Sequence, residues 1–141
     1  MKRIAKLSFF YSMLGLFLGA FYREFTKING FKGQTVLSGV HPHVLVLGAF
    51  FFLIVLLLEK SFELAKNKNF NKFLITYNIG LLISAIMMVI RGCIEVLNLE
   101  ISTAIDFSIS GIAGLGHIII TIAYILFFLI LLNRINDADN K

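Results

Sequence analysis

The chain has little of what soluble proteins are built from. Charged residues make up only 15% of its 141 residues, where ordinary soluble domains carry about 25%. There is one cysteine, Cys93, which excludes an internal disulfide and any cysteine-based zinc or iron–sulfur framework within one chain. There is one proline and no tryptophan, so a proline-rich, disordered composition is excluded as well. No two-residue alternation of polar and apolar positions is sustained, and a membrane β-barrel requires one. A phosphate-binding glycine loop, an HExxH pair and an arguable Ser-His-Asp arrangement are all missing, so the sequence leans away from an enzyme.

What the chain does have is apolar residues, and they are clumped. They amount to 58% of the sequence, with 15 phenylalanines and a mean hydropathy of +0.88. A helix needs about 20 mostly apolar residues to cross the hydrocarbon of a bilayer. Four stretches qualify, at about 7–22, 40–58, 73–97 and 107–132. The expected fold is an all-α, four-helix transmembrane bundle forming one domain over 1–141. The first stretch follows a basic segment as a signal peptide would. However, Gly19-Ala20-Phe21-Tyr22 offers no small-x-small cleavage pattern, so it reads as a permanent span. The polar tail Asn136–Lys141 is expected to fray.

The net charge of +5 resembles a nucleic-acid signature until the charges are placed. Lys2, Arg3 and Lys6 precede the first span, Lys60, Lys66, Lys68 and Lys72 lie between the second and third, and Arg134 and Lys141 follow the fourth. An even number of spans puts these on one side, with Arg23, Lys27, Lys32, Glu100 and Asp106 on the other. The positive-inside rule then places both termini in the cytoplasm. The basic surplus is an orientation device, and nucleic acid drops out as a partner in favour of the lipid bilayer.

Ionisable groups inside spans are costly and are functional candidates by default. Counted at about 1.5 Å per residue, His41, His43, Arg91 and His117 fall at one depth in the outer third, with Tyr22, Arg23 and Glu24 closing the first span nearby. On the fourth span Ser110, Gly114, His117, Thr121 and Tyr124 share one face, and on the third Gly80, Ser84, Met87, Arg91 and Glu95 do. Such stripes of small and polar residues normally face other helices. Arg91 and Glu95 stand at a pairing distance of four residues. Pro42 suits the first turn of its helix, which makes His41 the approximate cap. His41 and His43 point about 200° apart, so only one is expected to look into the bundle.

Two histidines on facing helices of a bundle are the usual holders of a b-type haem. His43 and His117 are the chosen axial ligands, with His41 as substitute. Gly39, Gly48, Gly111, Gly114 and Gly116 give a macrocycle room, and Arg91 and Arg23 are candidates to pair with its propionates. The same histidines suit a zinc or copper site. Plainer roles stand beside these: His41 as an interfacial cap, His43 at the headgroups, Arg91 with Glu95 as an ion pair fixing helix register, Phe50-Phe51-Phe52 as lipid-facing or packing surface, and Cys93 as a small packing residue. Gly15 and Gly19 form a GxxxG, a close-packing or homodimerisation face. Three functional classes follow: a haem-binding protein for electron transfer, sensing or haem handling; a small metal-binding or transport protein; and a structural accessory subunit without cofactor.

Several segments also carry a resemblance. Phe21-Tyr22-Arg23-Glu24-Phe25-Thr26-Lys27, Leu37 through Gly48 with its His41-Pro42-His43, Tyr77-Asn78-Ile79-Gly80-Leu81, Met88-Val89-Ile90-Arg91-Gly92 and Ser110 through His117 are similar to a family of small bacterial membrane proteins, chiefly from Gram-positive bacteria, catalogued as a domain of unknown function. The resemblance implies a four-helix protein integral to the bacterial cytoplasmic membrane and supplies no activity. The His-x-His at the head of a span is also similar to segments of haem-copper-oxidase-like membrane proteins.

Overall fold

A computed structural model describes residues 1–139. Four helices, each long and apolar enough to cross a membrane, account for nearly all of it: α1 (Lys2–Ile28), α2 (Leu37–Phe62), α3 (Phe70–Val96) and α4 (Thr103–Asp139). All four expected spans are present; α1, α2 and α4 run past their apolar stretches at both ends, whereas α3 extends only at its start and stops at Val96, one residue short of the expected end. The tail expected to fray is helical as far as Asp139; Asn140 and Lys141 lie outside the described residues.

Local chemistry ends the helices where they stop. After α1, Gly30 takes a left-handed φ of 61°, and the N–H groups of Phe31 and Gly30 return to the carbonyls of Thr26 and Lys27. Asn98, with φ 50°, closes α3 in the same way through Leu99 to Ile94 and Asn98 to Glu95. Both are Schellman turns, which satisfy carbonyls the helix leaves unpaired and favour Gly or Asn at the left-handed position.

The helices pass up and down. Arg3 donates to Asn71 at 3.0 Å and Tyr11 to Asn78 at 2.6 Å, so α1 and α3 run parallel in one register. At that same end Asn67 donates to Asn133 and Arg134 to the Phe62 carbonyl. Lys2, Arg3, Lys6, Lys60, Lys66, Lys68, Lys72 and Arg134 therefore share one end of the bundle. Lys141, counted with them from sequence, is not among the described residues.

Lipid tails are as apolar as leucine, so helices in a membrane associate through close approach and buried polar contacts. Glycine provides the approach between α1 and α2, between α2 and α3, and between α3 and α4. Gly15 and Gly19 of α1 lie against Leu45 and His41 of α2, and Gly48 of α2 lies against Tyr11. Gly92 of α3 meets the backbone of Leu37. Gly80 and Gly116 bring α3 and α4 together beside Ser84 and Ile120. The Gly15/Gly19 face thus packs against α2 within the chain, the close-packing one of the two roles expected for it.

Aromatic residues fill the middle. Phe51 stacks on Tyr77 at 4.5 Å and meets Phe127 edge-on, while Tyr11 stacks on Phe52. Of the phenylalanine run, Phe51 and Phe52 are buried and Phe50 faces outward. The outer surface is a coat of exposed Ile, Leu and Phe on all four helices, the surface a bilayer requires.

The glycine seams make a differential prediction. A methyl group on Gly92 would lie 2.6 Å from the Leu37 nitrogen, where backbone cannot move aside, so Gly92→Ala costs about 1–3 kcal/mol. A methyl on Gly114 meets nothing within 4 Å, so Gly114→Ala is neutral or stabilising by up to about 1 kcal/mol. Thermal unfolding in detergent micelles checks the pair; equal losses for both variants would contradict the seam.

Candidate functional site

The site begins with how α2 is started. The Val36 N–H donates to Glu95 Oε2 at 2.8 Å, and the Leu37 N–H to Thr35 Oγ1 at 3.1 Å. Thr35 in turn donates to the Gly92 carbonyl. A carboxylate and a hydroxyl at a helix N-terminus satisfy open N–H groups and complement the helix dipole. With these caps the helix starts at Leu37, three residues before the expected Val40. Pro42 consequently sits within the second turn and not the first, and His41 is inside the helix and not its cap.

Proline in a helix interior removes an N–H and crowds the carbonyl one turn back. Here it is followed by a widened, π-type turn over Leu45–Phe50. Neighbouring helices reach into that turn: Tyr77 donates to the Leu47 carbonyl at 2.8 Å and Ser8 to the Ala49 carbonyl at 2.9 Å. Tyr124 stands 3.3 Å from the Tyr77 hydroxyl. Irregular backbone at membrane depth persists where protein side chains supply such partners.

The two histidines of α2 diverge, as their spacing requires. His41 turns to α1, where its ring lies over Gly19; its Nδ1 is buried without a partner. His43 turns to α4 and meets His117 with ring centroids 6.1 Å apart at 59°. His41 is therefore removed as a substitute ligand, because it faces the opposite seam.

The protonation of His117 follows from its neighbour. Its Nδ1 lies 2.9 Å from the Ala113 carbonyl, which can only accept, so Nδ1 carries the proton. In a neutral imidazole that leaves the lone pair on Nε2. A backbone carbonyl fixing one ring nitrogen is the usual way to orient the other toward a ligand. On the opposite side, His43 Nε2 is buried with no hydrogen-bond partner. Gly111 and Gly114, in the two turns of α4 before His117, are exposed, and a side chain there would meet nothing within 4 Å. Gly39, Gly48 and Gly116 instead lie against Met88, Tyr11 and Ser84, so they serve helix contacts and leave no room for a macrocycle.

Arg91 and its expected partner are separated. Arg91 Nη2 pairs with Asp106 Oδ1 at 2.8 Å and donates to Ser110 Oγ at 2.8 Å, joining α3 to α4. Glu95 is occupied at the start of α2. Ser110 precedes His117 by two turns, about 10 Å along the helix, so Arg91 stands outward of the histidine pair and not level with it. Arg23 pairs with the adjacent Glu24 at 3.5 Å, largely exposed. Arg91 is thus already engaged within the bundle, by Asp106 and Ser110. Among the described residues no group of three or more His, Cys, Asp or Glu side chains could hold a metal ion, so a three-histidine site is not assembled.

The stripe on α4 is displaced too. The buried face of α4 carries Ile109, Gly116, Ile120, Ala123, Phe127 and Ile130. Ser110, Gly114, His117, Thr121 and Tyr124 run along the edge of that face, with His117 and Thr121 exposed. The cause is coverage: α3 lines α4 along its length, and α2 approaches only its other flank. Sequence reading missed Asp106 as the arginine partner, and it missed Thr35, Tyr11, Tyr77 and Asn78 as membrane-depth hydrogen-bonding groups. Polar residues adjacent to the spans' glycines were the available signal.

The fold and the placement of its polar groups define a multi-pass membrane protein, a four-helix bundle with an imidazole pair between α2 and α4. The chain belongs to the family described as "Protein of unknown function (DUF2871)", whose model matches residues 1–134. Comparison with curated proteins and with solved structures gives no match.

The rearranged charges are measurable. A double-mutant cycle of Arg91→Ala with Asp106→Ala is expected to give a coupling of about 0.5–1 kcal/mol, the range of partly exposed ion pairs. The cycle of Arg91→Ala with Glu95→Ala should give none. A larger coupling for Glu95 would reverse the assignment.

Proposed function

We propose that the chain is a small membrane-embedded accessory protein that works without a cofactor, in which the His43–His117 pair orders the contact between α2 and α4. The observation that carries this reading is the commitment of the polar groups around the pair: Arg91 is engaged by Asp106 and Ser110, Glu95 and Thr35 are taken up at the start of α2, and Tyr77 donates to the Leu47 carbonyl. The two imidazoles meet each other directly, with centroids 6.1 Å apart at 59°, and Gly39, Gly48 and Gly116 lie against neighbouring side chains.

A second reading gives the same scaffold a haem b and rests on a different observation: His43 Nε2 is buried without a hydrogen-bond partner, and the Ala113 carbonyl leaves the lone pair of His117 on Nε2. In that reading His43 and His117 would hold the haem, the Ala113 carbonyl would keep the His117 ring in orientation, and the haem would supply one-electron chemistry or gas and redox sensing. A two-histidine zinc or copper site is the least supported occupant, since among the described residues no third ligand converges on the pair.

An absorption spectrum of the purified, haem-supplemented protein separates the readings. The haem reading expects a Soret band that is lost in His43→Ala and His117→Ala and kept in His41→Ala. No band, or a band indifferent to His117→Ala, leaves the cofactor-free scaffold.

The orientation belongs with this proposal. The basic end of the bundle faces the cytoplasm, by the positive-inside rule, so both termini are cytoplasmic. In a Cys93→Ser background, cysteines placed at Lys2 and Asp139 should resist a membrane-impermeant maleimide in intact cells, while one at Lys32 should react. Labelling of the termini alone would invert the topology.

A further inference from the structure

We propose that the groove between the α2–α3 turn and the last turns of α4 binds an anionic phospholipid, phosphate at the rim and one acyl chain along the floor. The groove has a volume of about 550 Å³. Its floor is apolar, made by Leu126, Leu129 and Ile130 of α4, and its rim carries Lys66, Lys68 and Arg134 together with three asparagines and one carboxylate, Asp137, which is paired with Arg134. That vertical order of apolar below and basic above is the profile of a lipid at the membrane surface, where juxtamembrane basic residues attract anionic headgroups.

The rim is built before any ligand arrives. Asn67 Nδ2 donates to Asn133 Oδ1 at 3.1 Å, tying the turn to α4. Arg134, nearly buried, donates through Nε to the Phe62 carbonyl and pairs with Asp137 at 2.5 Å and Glu63 at 3.7 Å. Its charge is spent on holding the groove's shape. Lys66 is partly neutralised by Glu63 at 2.7 Å. Lys68 is exposed, pairs with no carboxylate among the described residues, and is the cation left to meet a phosphate. A free phosphate ion would use the same lysine but gain nothing from the floor, and an uncharged lipid would use the floor but not the lysine. The occupant that uses both is an anionic phospholipid.

Native mass spectrometry of the full chain in detergent, titrated with phosphatidylglycerol, phosphatidylcholine or inorganic phosphate, tests this. Phosphatidylglycerol should be retained several-fold more tightly than phosphatidylcholine. Lys68→Ala should weaken phosphatidylglycerol about five-fold, the equivalent of about 1 kcal/mol per surface lysine, and Lys66→Ala less. Leu129→Gln should weaken both lipids without changing their ratio. Circular dichroism establishes that each variant is folded, and both lysines are exposed enough to be replaced without loss of the fold. Equal retention of the two lipids, indifference to Lys68→Ala, or phosphate binding as tightly as phosphatidylglycerol would each overturn the proposal.

Discussion

The structure depends on a single constraint: inside hydrocarbon, a backbone polar group must find its partner within the protein. The helix α2 strains that rule most, because Pro42 removes an N–H and the turn that follows is widened. The surrounding helices are placed to answer it. Ser8 comes from α1, Tyr77 from α3 and Glu95 from the far end of α3, each to a backbone atom of α2 or its entry. Glycine seams then let these partners, two hydroxyl donors and one carboxylate acceptor, come close enough. The irregular helix is consequently clamped along its length, and its clamping decides which way its histidines face.

From that follows the economy of polar groups. Arg91, Asp106, Glu95, Thr35, Tyr77 and Asn78 each have an internal partner, so their presence in the spans is explained by the bundle alone. His41, His43 and Ser84 are the exceptions, each with a buried polar atom that has no partner. Of these, His43 alone faces a second imidazole, that of His117, whose tautomer is set by a carbonyl. An ionisable group that the architecture does not use is where a membrane protein's function is sought.

The fold was legible because its signal is coarse. Four long apolar stretches and a lopsided distribution of lysines suffice for a four-helix membrane bundle. Helical phase separated His41 from His43 and put His117 on a polar stripe, but the choice of His43 rested on a first-turn Pro42 that the earlier helix start displaces. The details that failed share one cause, which is that they depend on partners distant in sequence. Arg91 was matched to Glu95 four residues away, because a local rule was available; the real partner, Asp106, lies across a loop. Pro42 was placed in a first turn because nothing local announced Thr35 and Glu95 as the caps. The glycines at 39, 48 and 116 looked like vacant space, and in the folded chain Met88, Tyr11 and Ser84 occupy it. The edge position of His117 depends on how much of α4 its neighbours cover, which no single helix records.

The rotation of α2 turns His43, and not His41, toward His117. The most direct measurement is thiol cross-linking in membranes, in a Cys93→Ser background, with a short bifunctional thiol reagent. Cysteines at 43 and 117 are predicted to be joined within one chain, and cysteines at 41 and 117 are predicted to stay apart while 19 and 41 are joined. Efficient joining of 41 with 117, in place of 43 with 117, would contradict it.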